Sequence, residues 1–231
     1  MPAFDQRTIV VTGGTGALGS AVVQLLVQQG ARCVIPSHRA ADAPKTSGPG
    51  TVEVIPNIDL ADEASVEKFY GALASLWASI HTAGGFAMSP IAATAKNDFL
   101  KMFETNTLTA FLCCREAVKK IRASTLGGRL VNVAAKPALH PVGGMSAYAA
   151  SKAAVVSLTQ TLAEELASES IWVNAVVPST MDTPANRASF PSTTNFSKWP
   201  SVADVAQTIA FLASPENRVT RGALVPVYGK S

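Results

Sequence analysis

Short runs rich in Val, Ile and Ala punctuate the chain at residues 9–11, 32–35, 52–55, 76–80, 129–133, 171–177 and 224–227. A strand with one wet face alternates apolar and polar residues. These runs are largely continuous, as expected of strands covered on both faces in a parallel sheet. Between them, apolar residues recur at helical spacing, as at Val22, Val23, Leu25, Leu26 and Val27. The pattern predicts further helices starting near Asp59–Asp62 and spanning residues 98–122, 148–167 and 202–212. Ser201 and Asp204 are placed for a capping-box start to the last. Strands alternating with helices, without repeats, predict a single α/β domain over residues 1–231. The fold class is a Rossmann-type doubly wound parallel sheet of about seven strands.

The segments outside this alternation are loops. Residues 40–50, rich in Ala, Pro, Ser and Gly, read as a surface loop, and residues 134–145 carry two prolines and two adjacent glycines. Residues 179–200 have little periodicity and three prolines, Pro184, Pro191 and Pro200. A loop that long inside a compact domain is usually functional, and it is expected to be a lid over a pocket.

The first strand runs into a turn with Gly13, Gly14, Gly16 and Gly19, and then into a helix. Glycine permits positive φ and close approach of backbone amides, and a helix N-terminus offers unpaired N–H groups and partial positive charge. A dinucleotide pyrophosphate is the expected ligand, on Gly13, Thr15, Gly16, Ala17, Leu18 and Gly19; the alternative is a tight turn without a ligand. The tip of the second strand reads the adenosine ribose in such folds. Here it is Ser37-His38-Arg39, with no acid before Asp42. Arg39 with Ser37 points to NADP(H) in preference to NAD(H), which remains possible, and the bland alternative is a solvated basic turn. Asp59, beside Leu60, either begins a helix or contacts the adenine amino group. Ala83, Gly84 and Gly85 form a turn at the C-terminal edge of the fourth strand, where open α/β sheets bind ligands.

Composition narrows the partners. Net charge is +3, and no Lys/Arg block or aromatic–basic interleaving suggests nucleic acid. No secretory signal or membrane-length apolar run is visible. Cys33 reads as strand core and Cys113–Cys114 as helix packing, which together point to a reducing cytoplasm. His38, His81 and His140 lack metal-ligand spacing, so no metal site is expected. His81 reads as a satisfied residue at a strand end.

Thr12-Gly13…Gly19, Ala83-Gly84, Asn106, Tyr148-x-x-x-Lys152 and Asn174…Pro178…Thr183-Pro184 occur in one order along the chain. Together they resemble the short-chain dehydrogenase/reductase family over almost its whole length. Ala17 stands where the family's main branch often has Gly, with Gly16 expected to supply the flexibility one residue earlier. Four stretches are most similar to the quinoid dihydropteridine reductase branch: Gly16-Ala17-Leu18-Gly19-Ser20, Ala83-Gly84-Gly85-Phe86, residues 134–139 and residues 181–187. The resemblance implies that Tyr148, Lys152 and Asn106 are catalytic. It implies that Lys152 also binds the nicotinamide ribose, that Asn106 supports a water relay, and that Pro178 and Thr183 contact cofactor. It further implies a homodimer or homotetramer built on the helices near Asn106 and Tyr148.

Tyr148 and Lys152, at i and i+4, share a helix face. An ammonium about 5 Å from a phenol, at an effective dielectric near 20, is worth roughly 3 kcal/mol, or about two pKa units. That is expected to bring Tyr148 toward neutrality as a general acid. The family's main branch has a serine thirteen residues before the tyrosine, and here that position is Ala135. One lost donor to a developing oxyanion costs about 2.7–4 kcal/mol. Reduction of a quinonoid C=N bond develops no such alkoxide, so Ala135 favours a small activated substrate such as quinonoid dihydropterin. The alternatives are a general carbonyl or quinone reductase and, in another class, a dinucleotide-binding sensor or scaffold without chemistry. His140 is a candidate substrate contact or a plain loop residue. Phe190, Phe196 and Trp199 either close the lid over a flat ring or pin the loop to the core.

Overall fold

The computed structural model describes residues 3–124 and 127–231. Seven parallel strands form one sheet: β1 Thr8–Thr12, β2 Arg32–Pro36, β3 Thr51–Ile55, β4 Ala78–His81, β5 Gly128–Val133, β6 Ile171–Pro178 and β7 Leu224–Val227. Their spatial order is β3-β2-β1-β4-β5-β6-β7, so the winding reverses between β1 and β4. A crevice at the C-terminal ends of the strands opens there.

Helices cover both faces, as continuous apolar strands require. Ile9, Val11, Cys33, Ile35, Ile80, Val131 and Val176 point to one face, against helices α1 (Ala17–Gln28) and α8 (Val202–Ala213). Val10, Val34, Leu130 and Val173 point to the other, against α2 (Glu63–Gly71), α4 (Thr109–Arg122) and α6 (Ser146–Glu165). Adjacent strand residues thus serve opposite cores. Cys33, Cys113 and Cys114 are buried free thiols, and burial raises all three pKa values.

One buried polar run crosses the second face. The Tyr70 hydroxyl lies 2.8 Å from Ser79 Oγ, Ser79 Oγ 2.9 Å from His81 Nε2, and His81 Nδ1 2.7 Å from Asn132 Oδ1. Asn132 Nδ2 donates to Thr159 Oγ1, which donates to the carbonyl of Val155 on α6. Because Asn132 Oδ1 accepts, His81 carries its proton on Nδ1 and accepts from Ser79 on Nε2. Burial pulls the imidazole down to about 4, so His81 is neutral. It is the satisfied strand-end residue its position suggests.

Three expectations change. The expected helix over 98–122 is α3 (Lys96–Met102), a π-helical turn at Phe103–Leu108, and α4. The π turn bears Asn106, and widened turns of this kind gather at functional sites. The expected loop at 134–145 contains a short helix, α5 (Lys136–Leu139), because Pro137 falls in a first turn, where its missing N–H costs nothing. The expected lid segment, residues 179–200, contains α7 (Pro184–Ala188), whose N-cap Thr183 accepts from the Asn186 backbone N–H. Asp62, not Asp59, caps α2 through Ser65 N, and the Ser201–Asp204 capping box starts α8. No helix among the described residues is long and apolar enough to cross a membrane.

Candidate active site

Two adjoining cavities occupy the crevice. The first, about 290 Å³, is lined by His38 and by Gly13, Thr15, Ser37, Asp59, Leu60 and Ala83, the last six among the expected cofactor residues; Arg39 is not on its wall. Gly13 has φ +66°, and a Cβ there would lie 2.8 Å from Ala83 N. Thr12 and Thr82 fasten the two strand ends side by side, with Thr82 Oγ1 donating to Thr12 O and Ala83 N to Thr12 Oγ1. Helix α1 starts at Ala17 with no acidic side chain in its first turn, leaving its N-terminal amides to an anion. Gly16, expected to supply flexibility, has an ordinary φ of −79° as the N-cap. Gly13 makes the left-handed turn instead. Gly19 is required by packing, since a Cβ there would meet the Gly13 carbonyl oxygen at 2.1 Å. These backbone clearances, the absent side chains and the free helix end fit a dinucleotide.

Ser37 Oγ donates to the backbone oxygen of exposed Arg39 at 2.7 Å, which curls the tip of β2 beside the cavity. Asp59 stands ahead of α2, its Oδ1 accepting from Ala61 N and its own N–H donating to Ser65 Oγ.

The second cavity, about 380 Å³, holds the chemistry. Gly84, Gly85, Ala135, Tyr148, Lys152 and Pro178 all line it, together with Leu18 and Phe190. Lys152 is buried and donates to Val133 O at 2.8 Å. Desolvation pulls its ammonium down to about 8. Tyr148 does not approach neutrality as expected: burial pushes its phenol up to about 12. The ammonium is turned to a β5 carbonyl, and loss of water around the phenol decides the shift. In this arrangement Tyr148 keeps its proton throughout the physiological range, which suits an acid more than a base.

Asn106 is fully engaged in positioning. Its Oδ1 accepts from Gly85 N, while Nδ2 donates to Gly85 O and to Ser151 Oγ. Ser151 Oγ in turn donates to the Tyr148 carbonyl. A Cβ at Gly84 would come within 2.7 Å of Asn106 Oδ1 and 3.3 Å of Lys152 Nζ, so the β4 turn closes on both. With both side-chain donors committed, the expected relay role does not fall to the Asn106 amide group. That amide clamps the β4 turn to the helix bearing Tyr148.

Ala135 is 5 % exposed and on the cavity wall, as its place in the sequence suggested. Phe190 also lines the cavity. His140 does not: it is exposed and packs edge-on to the Tyr228 ring, 6.1 Å between centroids. Trp199 stands back as well, between Phe190 at 5.0 Å and Phe196 at 4.9 Å, and so pins the lid. Sequence reasoning missed Ser151, Phe86, Met145 and Met181. Ser151 was visible inside Tyr148–Lys152, but the partner that gives it a role arrives from the π turn. The edge of Phe86 packs on the Tyr148 ring at 4.9 Å across 62 residues of chain, a contact no local pattern reports. No group of three or more potential metal ligands occurs among the described residues.

A family model described as short chain dehydrogenase matches residues 7–193. The 3-oxoacyl-(acyl-carrier-protein) reductase MabA of Mycobacterium tuberculosis is 29% identical, over 99% of this chain and 94% of its own. An NADPH-dependent aldehyde reductase-like chloroplastic protein of Arabidopsis thaliana is also 29% identical, over 96% and 93%. Among solved structures, a short-chain type dehydrogenase/reductase from Mycobacterium ulcerans superposes with TM-score 0.89 at 24% identity, covering 98% of this chain and 90% of that one.

Proposed function

This chain belongs to the short-chain dehydrogenase family, and we propose that it is an NADPH-dependent reductase of a small activated substrate whose conjugated C=N or C=O bond accepts hydride readily. Quinonoid dihydropterin is the C=N member of that class and a quinone the C=O member. When bound, the nicotinamide supplies the hydride, so that reductant, substrate and one proton become oxidised dinucleotide and reduced substrate. Tyr148 supplies that proton to the substrate heteroatom. Lys152, the 13–19 turn and the Ala83–Gly85 turn would hold the dinucleotide, and Asn106 and Ser151 fix the helix on which Tyr148 rides.

The observation that carries the reading is Ala135 on the cavity wall, where the family's main branch offers a hydroxyl. With no hydroxyl at Ala135 to join Tyr148, a substrate that forms a full alkoxide is poorly served, and one whose charge is delocalised is not. A second reading, reduction of ordinary aldehydes and ketones, is favoured by the activities named for the relatives. The test is kcat/KM with NADPH on a simple ketone, a quinone and quinonoid dihydropterin, for wild type and Ala135→Ser. The serine should raise ketone reduction by about tenfold and leave the quinonoid substrates nearly unchanged; a grafted hydroxyl without supporting contacts recovers only part of the full value. A wild type already faster on the ketone would overturn the reading.

Preference for NADPH is supported by Arg39 and by the lack of an acid at the β2 tip. NADPH is expected to bind at least about tenfold tighter than NADH, a difference of about 1.4 kcal/mol within reach of one charge-assisted hydrogen bond. Fluorescence titration of wild type and Arg39→Ala with both cofactors checks it. A ratio that survives the substitution removes Arg39 from the role.

A further inference from the structure

Three segments that contribute to the walls of the Tyr148 cavity carry no fixed charge. Residues 82–95, 137–151 and 188–197 contain no Asp, Glu, Lys or Arg, in a chain that is 15% charged. The remaining ionised groups nearby are spent: Asp182 and Arg187 pair with each other, and Lys152 donates to Val133 O. Several lid polar groups are spent too. Ser189 Oγ donates to Ala185 O, Asn186 Nδ2 to Met181 O, and Ser179 Oγ to Tyr228 O.

Apolar side chains stand out into solvent on these same segments. Phe86 and Met88 are each 60% exposed, Val142 50% and Phe190 45%. Phe86 leans on Tyr148, and Phe190 lines the cavity itself. Ser89 N donates to Gly144 O at 2.8 Å, and Met88 lies against Gly144, which joins the 86–91 segment to the loop carrying Val142 and Met145. The apolar wall therefore runs from the reacting hydroxyl outward past the mouth. Exposed apolar surface continuous with a pocket marks a place that something apolar covers.

We propose that this collar binds an apolar chain carried by a neutral quinone substrate, the ring lying at Tyr148 and the chain running out between Phe86, Met88, Val142 and Phe190. The assignment rests on the reductase reading above and selects within it. A pterin ring, dense in amide and amine groups, would bury more donors and acceptors against these walls than Tyr148 and Thr180 can meet, whereas a quinone presents two carbonyl oxygens and an otherwise apolar edge.

The test uses the full chain and a series of 2-n-alkyl-1,4-benzoquinones from methyl to hexyl, with kcat/KM measured under saturating NADPH. Calorimetric Kd values of the matched, unreactive alkylphenols are measured in parallel with NADP⁺ present. Full burial of a methylene corresponds to about fourfold in affinity, so cover by one side of a collar should give about twofold per methylene in both series. Met88→Ser and Val142→Ser should each flatten the Kd slope. Turnover with a flat slope overturns the collar and leaves the reductase reading standing. A steep Kd slope without turnover of any quinone overturns the reductase reading and supports the collar. Greater kcat/KM on quinonoid dihydropterin than on every alkylquinone also overturns the proposal. Sedimentation of the two variants supplies the last arm: a changed mass with an unchanged slope would assign the collar to a second copy of the chain.

Discussion

Tyr148→Phe should lower turnover on the best substrate by about a hundredfold or more while leaving dinucleotide affinity within about twofold, the scale expected for a lost general acid. The substitution is unusually clean here. The ring, which packs at right angles to Phe86, is retained, and the lost hydroxyl is hydrogen-bonded to no other group among the described residues. What disappears is the proton that burial holds on the phenol, with its pKa near 12. Single-turnover kinetics with NADPH separate chemistry from release, and cofactor titration reads binding directly. Near-full turnover in the variant would remove Tyr148 from the acid role. Loss of cofactor affinity in step with turnover would show that the hydroxyl serves the binding site.

Gly19→Ala should abolish measurable cofactor binding, a loss of more than about a hundredfold, with a lowered Tm from overpacking worth about 1–3 kcal/mol. The three nearest atoms the new methyl would meet are all backbone: Gly13 O at 2.1 Å, Gly13 C and Gly14 Cα at 2.7 Å. No rotamer change relieves such a clash, so the 13–16 turn must move, and with it the amides that would face a bound dinucleotide's phosphates. Gly16→Ala is the control. Its φ of −79° suits any residue and its nearest neighbour is at 3.3 Å, so affinity should change by only a few-fold. Titration and thermal unfolding of both variants decide the matter, and equal losses would mean that the turn, as a whole, tolerates no side chain anywhere.

That contrast shows what could be read from the sequence. Four glycines in a strand-to-helix turn announced a phosphate cradle, but not which was there for φ and which for clearance, because that depends on Ala83 and Gly13 arriving opposite. The strands were legible because strand runs covered on both faces have a composition of their own. The π turn at Asn106 was not, since five- and four-residue helical bonding share one apolar pattern over so short a span. Tyr148 and Lys152 were singled out by the resemblance and put on one helix face by their spacing, yet their electrostatics were misjudged. Spacing gives proximity but says nothing of the Val133 carbonyl that holds the ammonium.

The buried run from Tyr70 to Val155 O has a consequence for how the sheet chooses its alignment. Strands apolar on both faces carry little information about which residue should lie beside which. If β4 slid by one residue along β5, it would carry Ala78 and Ile80 to the core under α2, α4 and α6, which accepts apolar side chains. It would, however, turn Ser79 and His81 toward α1 and α8, away from Tyr70 and Asn132. A slide by two residues would keep the faces and still part His81 from Asn132, its neighbour across the ladder. Either error leaves several buried donors and acceptors unmet, at about 1–3 kcal/mol each. A few polar side chains thus set the register of a sheet whose apolar majority would accept others, and they end on α6, the helix that must bring Tyr148 and Lys152 to the crevice.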